Sequence, residues 1–383
     1  MKENVLATIE QHFGGLTDPR IDRTKLHKLL DILAIAISAI IAGADNWEDV
    51  EEFGKARIEW FQSFLELANG IPSHDTFTRV FARLDPEQFQ ACFLGWIAAV
   101  SEVISGQVIA IDGKVLRRSH DKGIDKAAID MVSAWASANH LVLGQVKVDE
   151  KSNEITAIPQ LLAALEVSGC IVTIDAMGCQ TAIAEKIIER EADYVLGVKE
   201  NQGHLYADVE RLFADLEGSQ YKAYRFDYEK TVNKDHGRIE IRECWTISDP
   251  DVLKHLRGYE NWKDLRTVSR IRAQRWIKED KSCEDRYHIA SITGATRVLD
   301  SVRSHWGIEN ELHWTLDMAF DEDRCRVRKD HGSENFAVLR HIALNLLKQE
   351  KTCKRGLQGK RLLAAWDQDY LLKVLTGLAR MVN

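Results

Sequence analysis

The chain has 383 residues, 45% hydrophobic and 29% charged, the composition of a folded globular protein of two or three domains rather than a disordered, collagenous or membrane chain. Fifty-one Lys and Arg against 59 Asp and Glu leave a net charge of -8, which excludes a protein basic all over but leaves room for a local basic face. Five prolines, 23 glycines and no repeat of fixed period exclude a low-complexity linker, so the domains must be closely joined. The seven cysteines are scattered and never spaced Cys-x-x-Cys, which argues against a disulfide framework or zinc knuckle and fits a reducing, cytoplasmic setting. Residues 1–13 carry Lys2, Glu3, Glu10 and His12 and do not read as a secretory leader. The most apolar stretch, Leu29 to Ala44, holds 16 residues with Asp31 inside it, short of the roughly 20 that a bilayer requires, and reads as a buried core helix.

Residues 1–100 are predicted helical, because apolar residues recur at three-to-four spacing from Leu26 to Ile41, Trp47 to Leu67 and Phe77 to Trp96. Pro72 stops one helix there and the Ser73 hydroxyl is placed to cap the next, so a helix-turn-helix is possible. From Gln107 the character changes. Gln107 to Asp112, Met131 to Ser137 and Leu141 to Val148 are β-rich and suggest an antiparallel meander. A helix at Ile158 to Val167, an apolar strand at Cys170 to Asp175, a helix at Thr181 to Arg190 and a strand at Tyr194 to Val198 follow, giving β-β-β-α-β-α-β and a mixed sheet covered by helices. Residues 201–293 turn polar, with alternating candidates at Lys222 to Glu229, Ile239 to Ile247, Thr267 to Ile277 and Tyr287 to Ile292, and read as a β-rich insertion. Amphipathic helices at Arg297 to Met318 and Glu334 to Lys348 resume, over 294–350, the sheet-building domain begun over 101–200, and a basic tail over 351–383 ends with a helix at Leu371 to Val382.

Ligands of such sheets gather beyond the carboxyl ends of strands. Asp112 closes the apolar run VIAID before Gly113, and Asp175 closes IVTID before Ala176-Met-Gly178. In the segment from Arg303 to Trp314, a helix starting near Thr296 sets Trp306, Glu309 and His313 on one face and Ile308, Leu312 and Leu316 on the adjacent apolar one. Three carboxylates without a Cys or His triad suit hard cations such as magnesium or manganese, and two such ions about 3.5 to 4 Å apart serve phosphodiester chemistry. Residues 324–361 hold eleven Lys and Arg against three acids, a net of +8, and Lys114, Arg117, Arg118 and Lys122 follow Asp112 directly, where a phosphate backbone would cross. Dinucleotide, Walker, nucleophile-elbow and zincin motifs are absent, which leaves redox, ATP-driven and serine-hydrolase readings without support.

The segments IPSHDTFTRVFARLDP (71–86), AIDGKVLRRS (110–119), TIDAMGCQ (173–180), YVLGVKENQ (194–202), HGRIEIR (236–242) and HWGIENELHWTLDMAFDED (305–323) resemble the H-repeat-associated transposases of bacterial insertion sequences, in the DDE superfamily. The resemblance implies a ribonuclease-H-like catalytic domain in which Asp112, Asp175 and Glu309 bind two magnesium ions, with manganese able to substitute. It implies 3′-end cleavage of the element by water, then attack of the freed hydroxyl on target DNA. Double-stranded DNA, as terminal inverted repeats and target, is the implied partner, and a homodimer brings two ends together, in the cytoplasm at the nucleoid. Where wider relatives carry Tyr, Arg and Lys around the Glu, this sequence has Val302, His305 and Leu316. Arg303, His305 and Asn310 therefore stand as phosphate-binding candidates, and Lys199, Asn201, Gln202, His236 and Arg238 as further DNA-facing residues. Residues 1–100 are expected to recognise the element ends. Two other readings stay open: a catalytically silent relict that only binds DNA, and a metal-dependent host nuclease.

Overall fold

The computed structural model describes residues 2–101, 104–120, 127–148, 153–235, 238–277 and 280–378. Six helices come first: α1 (Lys2–Phe13), α2 (Leu29–Ile41), α3 (Trp47–Ala56), α4 (Ile58–Gln62), α5 (His74–Arg83) and α6 (Pro86–Val100). Helix α2 is apolar all round and 11 of its 13 residues are buried, so neighbours surround it. Two apolar stretches expected to be single helices are broken. The chain turns at Arg57, and again at Asp85, whose carboxylate accepts from the Glu87 and Gln88 N–H groups while Pro86 opens α6. Ser73 does occupy the cap position of α5, but its hydroxyl meets that of Thr76 at 3.2 Å. The His74 N–H donates instead to Glu51 of α3 at 2.6 Å.

The meander follows as β1 (Val108–Leu116), β2 (Ile129–Ala136) and β3 (Leu141–Lys147), antiparallel throughout. After α7 (Glu154–Ala164), β4 (Ile171–Ile174) lies parallel to β1; after α8 (Thr181–Glu189), β5 (Asp193–Val198) lies parallel to β4. The expected mixed sheet is thus present, with an all-helical N-terminal region.

Residues 201–293 contain a 16-residue helix that alternation alone did not suggest, α9 (Gly203–Gly218), whose Leu205, Val209, Leu212, Phe213 and Leu216 form a buried helical stripe. They also supply β6 (Asp227–Asp235), β7 (Arg238–Ile247), the short α10 (Pro250–Leu253), β8 (Thr267–Ile277) and β9 (Asp280–Ala290). Strand β9 pairs antiparallel with β5, so the segment continues the same sheet to nine strands, ordered β3-β2-β1-β4-β5-β9-β8-β7-β6. Strands β6 and β9 are displaced from the expected runs because their outer halves project into solvent, where no core imposes alternation.

Helix α11 (Ala295–Gly307) runs through a π-helical turn (Ile308–His313) into α12 (Trp314–Phe320). Then come α13 (Gly332–Gln349), α14 (Leu357–Trp366) and α15 (Gln368–Leu375). Sixteen of the 18 residues of α13 are buried, because it packs against α2, α5, α6 and β3 together, and the N-terminal helices share one apolar core with the sheet. Its Asn345 amide exchanges two 2.9 Å hydrogen bonds with the N–H and C=O of Val142 on edge strand β3. Replacing Asn345 with Leu orphans both buried backbone groups and is expected to cost about 2 to 4 kcal/mol, read as a fall in urea midpoint at unchanged slope.

Glu51 also accepts from the His74 ring at 2.6 Å, and that hydrogen bond raises the His74 pKa above 6.5. The contribution is complete below 6.5 and is lost as pH rises through the raised value. The His74 ring proton signals should therefore titrate above 6.5 in the wild type and return toward 6.5 in Glu51→Gln.

Candidate active site

The two aspartates meet through strand register. Strands β1 and β4 pair up to Ile111 and Ile174, so Asp112 and Asp175 are the next residues on neighbouring parallel strands. Asp112 does not end its strand as expected, since β1 stays paired with β2 as far as Leu116. Asp175 does end β4, and its Oδ1 accepts from the N–H groups of Met177 at 3.0 Å and Gly178 at 3.3 Å, closing an Asx turn. Asn201 donates to the Ala176 carbonyl at 2.6 Å and Gln202 to that of Cys179 at 2.9 Å. Both side chains therefore clamp the loop behind Asp175 from the segment after β5.

Glu309 arrives from α11. Ile308, Leu312 and Leu316 are buried as the helical spacing required, which leaves Glu309 on the open side. It stands in the π-helical turn, a local widening of the kind frequent at functional sites. Asp175 and Glu309 line one cleft of about 880 Å³ with Lys199, Asn201, His305 and Trp306. The His305 ring pairs with the Thr173 hydroxyl at 3.0 Å, and the Arg286 guanidinium lies 4.8 Å from the Trp306 ring.

A fourth acid escaped the sequence reading. Glu154 is the first residue of α7, just past the capping Asn153, and its carboxylate lies against Gly113, where a Cβ would come within 2.0 Å of Oε1. A larger side chain at Gly113 would displace the Glu154 carboxylate from this position, so the glycine after Asp112 leaves room for the fourth acid. The available signal was the Asn153-Glu154 helix start itself. Burial, then Asp175, Glu154 and Glu309, push the Asp112 pKa up to about 7; burial, then Asp130 and Asp175, push Glu154 up to about 7.

Among the described residues no cation relieves this repulsion. His313 lies 3.6 Å from Asp112, but burial, then Lys114, hold its pKa down at about 4, so it is neutral at pH 7. Lys114 does not face a phosphate backbone as expected. It turns inward to Asp317 at 2.5 Å and to the buried Glu322 at 2.8 Å, which Arg340 approaches at 3.7 Å. Among the described residues no group of three or more His, Cys, Asp or Glu side chains is placed to hold a metal ion as folded. The open, all-oxygen, uncompensated donor set nonetheless has the chemistry of a hard divalent-cation site.

The other candidates are dispersed. Lys199 and Arg303 are exposed, and Asn310 donates to the Trp306 carbonyl at 2.9 Å. Arg117 is 77% exposed and pairs with Asp323, while Arg118 is exposed and its carbonyl accepts from Arg328. Arg238 pairs with Glu240 at the start of β7; His236 and Lys122 lie outside the described residues. The basic run is partly internal: Arg340, Lys360 and Arg361 are buried, and Arg361 donates to Ile40, Ala44 and Ala319 carbonyls and to Asp45.

Residues 105–346 match the family described as Transposase DDE domain, and residues 10–97 the one described as DDE_Tnp_1-associated. The chain belongs to the DDE transposase family. It is 40% identical over 379 residues to "H repeat-associated putative transposase YhhI" of Escherichia coli K12, spanning 97% of this chain and 98% of the relative. It is 42% identical over 381 residues to "Putative transposase YncI" of Escherichia coli O157:H7, spanning 98% and 96%. "Inactive transposase YbfQ" of Escherichia coli K12 is 38% identical over 78 residues, 20% of this chain and 93% of that one. Among solved structures, a piggyBac transposase synaptic complex with hairpin DNA aligns with 99% of this chain and 78% of its own at TM-score 0.42 and 10% identity.

The inward placement of Lys114 predicts that Lys114→Met, which takes the nearer of two cations from buried Glu322 and leaves Arg340 at 3.7 Å, lowers stability by about 3 kcal/mol in chemical denaturation. Arg117→Ala, at an exposed position, is expected to leave the midpoint nearly unchanged.

Proposed function

We propose that this DDE transposase-family chain performs metal-dependent DNA strand cleavage and strand transfer at the ends of an insertion sequence. The observation that carries the reading is the strand register that sets Asp112 beside Asp175, with Glu309 across the cleft and no cation among them in the described residues. Asp112, Asp175 and Glu309 would hold two magnesium ions, with manganese able to substitute. Such ions, when bound, polarise the scissile phosphodiester and activate the attacking oxygen.

The chain's own residues do the positioning. Asn201 and Gln202 fix the loop of Asp175, and the Thr173–His305 contact ties β4 to α11, which carries Glu309. Lys199 lines the cleft and is exposed, and Arg303 is exposed on α11, so both would be available to DNA phosphates. Arg117, Arg118 and Arg238 would extend that track, and a homodimer would hold two ends together.

The test is a supercoiled plasmid bearing the flanking element ends, incubated with magnesium, manganese or chelator. Metal-dependent nicks at the ends followed by joined products are expected. Asp112→Asn, Asp175→Asn and Glu309→Gln should each lower the rate about a thousandfold or more, the several kcal/mol a bound ion contributes, while duplex binding persists. Nicks without joining would favour a host nuclease, end binding without cleavage a silent relict, and wild-type rates in all three variants a different site.

A further inference from the structure

A second concave site lies behind the π-helical turn, between the β2–β3 turn and the α13–α14 connection, with a volume of about 340 Å³. Lys348, Lys351, Lys354, Arg355 and Lys360 line it with His140. We infer that this pocket binds a backbone phosphate of the DNA flanking the cleaved position; the inference rests on the transposase reading above.

The pocket is built rather than incidental. Lys360 is 7% exposed, and its ammonium donates to the carbonyl of Leu347 at 2.8 Å and to that of Glu350. An ammonium has three donors, so one N–H of this buried group remains for a ligand. The Lys348 ammonium sits 4.6 Å from the Trp135 ring and 3.6 Å from Glu311. The rim is a turn organised by Glu350, whose carboxylate accepts from the Thr352 and Cys353 N–H groups, the Thr352 hydroxyl and the Tyr370 hydroxyl. With its oxygens taken up in this way, Glu350 shapes the turn that projects Lys351, Lys354 and Arg355 outward. All three are exposed and show no side-chain partner among the described residues.

Charge selects the ligand. Five cations face two carboxylates, Glu350 and Glu311, and the surplus is positive. Burial, and then neighbouring Lys351, oppose the charge on both Lys348 and Lys360, so the cations crowd one another as folded. An anion would relieve that repulsion. Four of the five are lysines, point charges suited to a phosphate rather than to the planar fork of a carboxylate.

Position selects the source. Glu311 is two residues beyond Glu309 in the same π-helical turn, and its carboxylate holds both His140, at 2.5 Å, and Lys348. The pocket wall and the candidate catalytic acid are therefore parts of one turn but face away from one another, so the pocket would meet DNA that continues past the cleft and around the turn.

The experiment measures binding of a labelled duplex by the full chain across a salt series, comparing wild type with Lys351→Gln/Lys354→Gln/Arg355→Gln. The variant is expected to bind about tenfold more weakly, with the slope of log affinity against log salt reduced by about 1 to 2, one phosphate being worth about 0.9. The charge-keeping Lys351→Arg/Lys354→Arg/Arg355→Lys should bind like wild type, which separates charge from folding. Unchanged affinity and slope in the Gln variant, with wild type binding well, overturns the pocket alone. Absence of duplex binding by wild type overturns the transposase reading and the pocket with it. If inorganic phosphate raises the wild-type melting temperature but not the variant's, while duplex affinity is equal, the pocket takes free phosphate and the DNA assignment fails.

Discussion

Like charge gathered at one end of a sheet is the constraint on which the rest of the site depends. Asp112, Glu154, Asp175 and Glu309 act on one another through space, and the nearest lysine in sequence, Lys114, is drawn away by Asp317 and Glu322. Carboxylates so placed would move apart unless held, and each has its own restraint. Strand register holds the two aspartates, an Asx turn and two amide clamps hold the loop of Asp175, the bare Gly113 makes room for Glu154, and the buried stripe of α11 and α12 sets Glu309. The fold thereby stores repulsion that a diffusible cation can relieve.

Much of this was legible in the chain. The two aspartates ended recognisable apolar runs, and the spacing of Ile308, Leu312 and Leu316 fixed which way Glu309 faces, because burial of a helical stripe is a strong and local signal. Glu154 was not legible because its importance comes from a strand and a glycine some forty residues earlier. Lys114 misled for a related reason: a charge count cannot tell a lysine facing water from one turned toward a buried Glu322. The same failing applies to the basic stretch near the C-terminus, where Arg361 serves as a hydrogen-bonding hub for carbonyls from α2 and α12. Strand β9 was displaced in the reading because its solvent-facing half lacks the alternation that only a core imposes.

Helix α13 gives the molecule its unity. By burying nearly its whole length against three N-terminal helices and edge strand β3, it leaves that strand's outward face covered and joins the two regions in one apolar core. The helices of residues 1–100 are thus held in a fixed relation to the carboxylates, so what they touch and what the acids touch must lie on one continuous surface.

The π-helical turn makes the third carboxylate a matter of helical phase. A π-helical turn accommodates one more residue than the α-helical turn it replaces, so removing a single residue from it would restore α-helical pitch while leaving α11 and α12 near their present phase. The two halves of this long helix are each anchored, α11 to β1 and β4 and α12 to α14. A one-residue deletion is therefore taken up within the turn itself, and what changes is which side chains it presents: the extra residue, rather than the packing of the flanking helices, sets whether Glu309 meets the cleft.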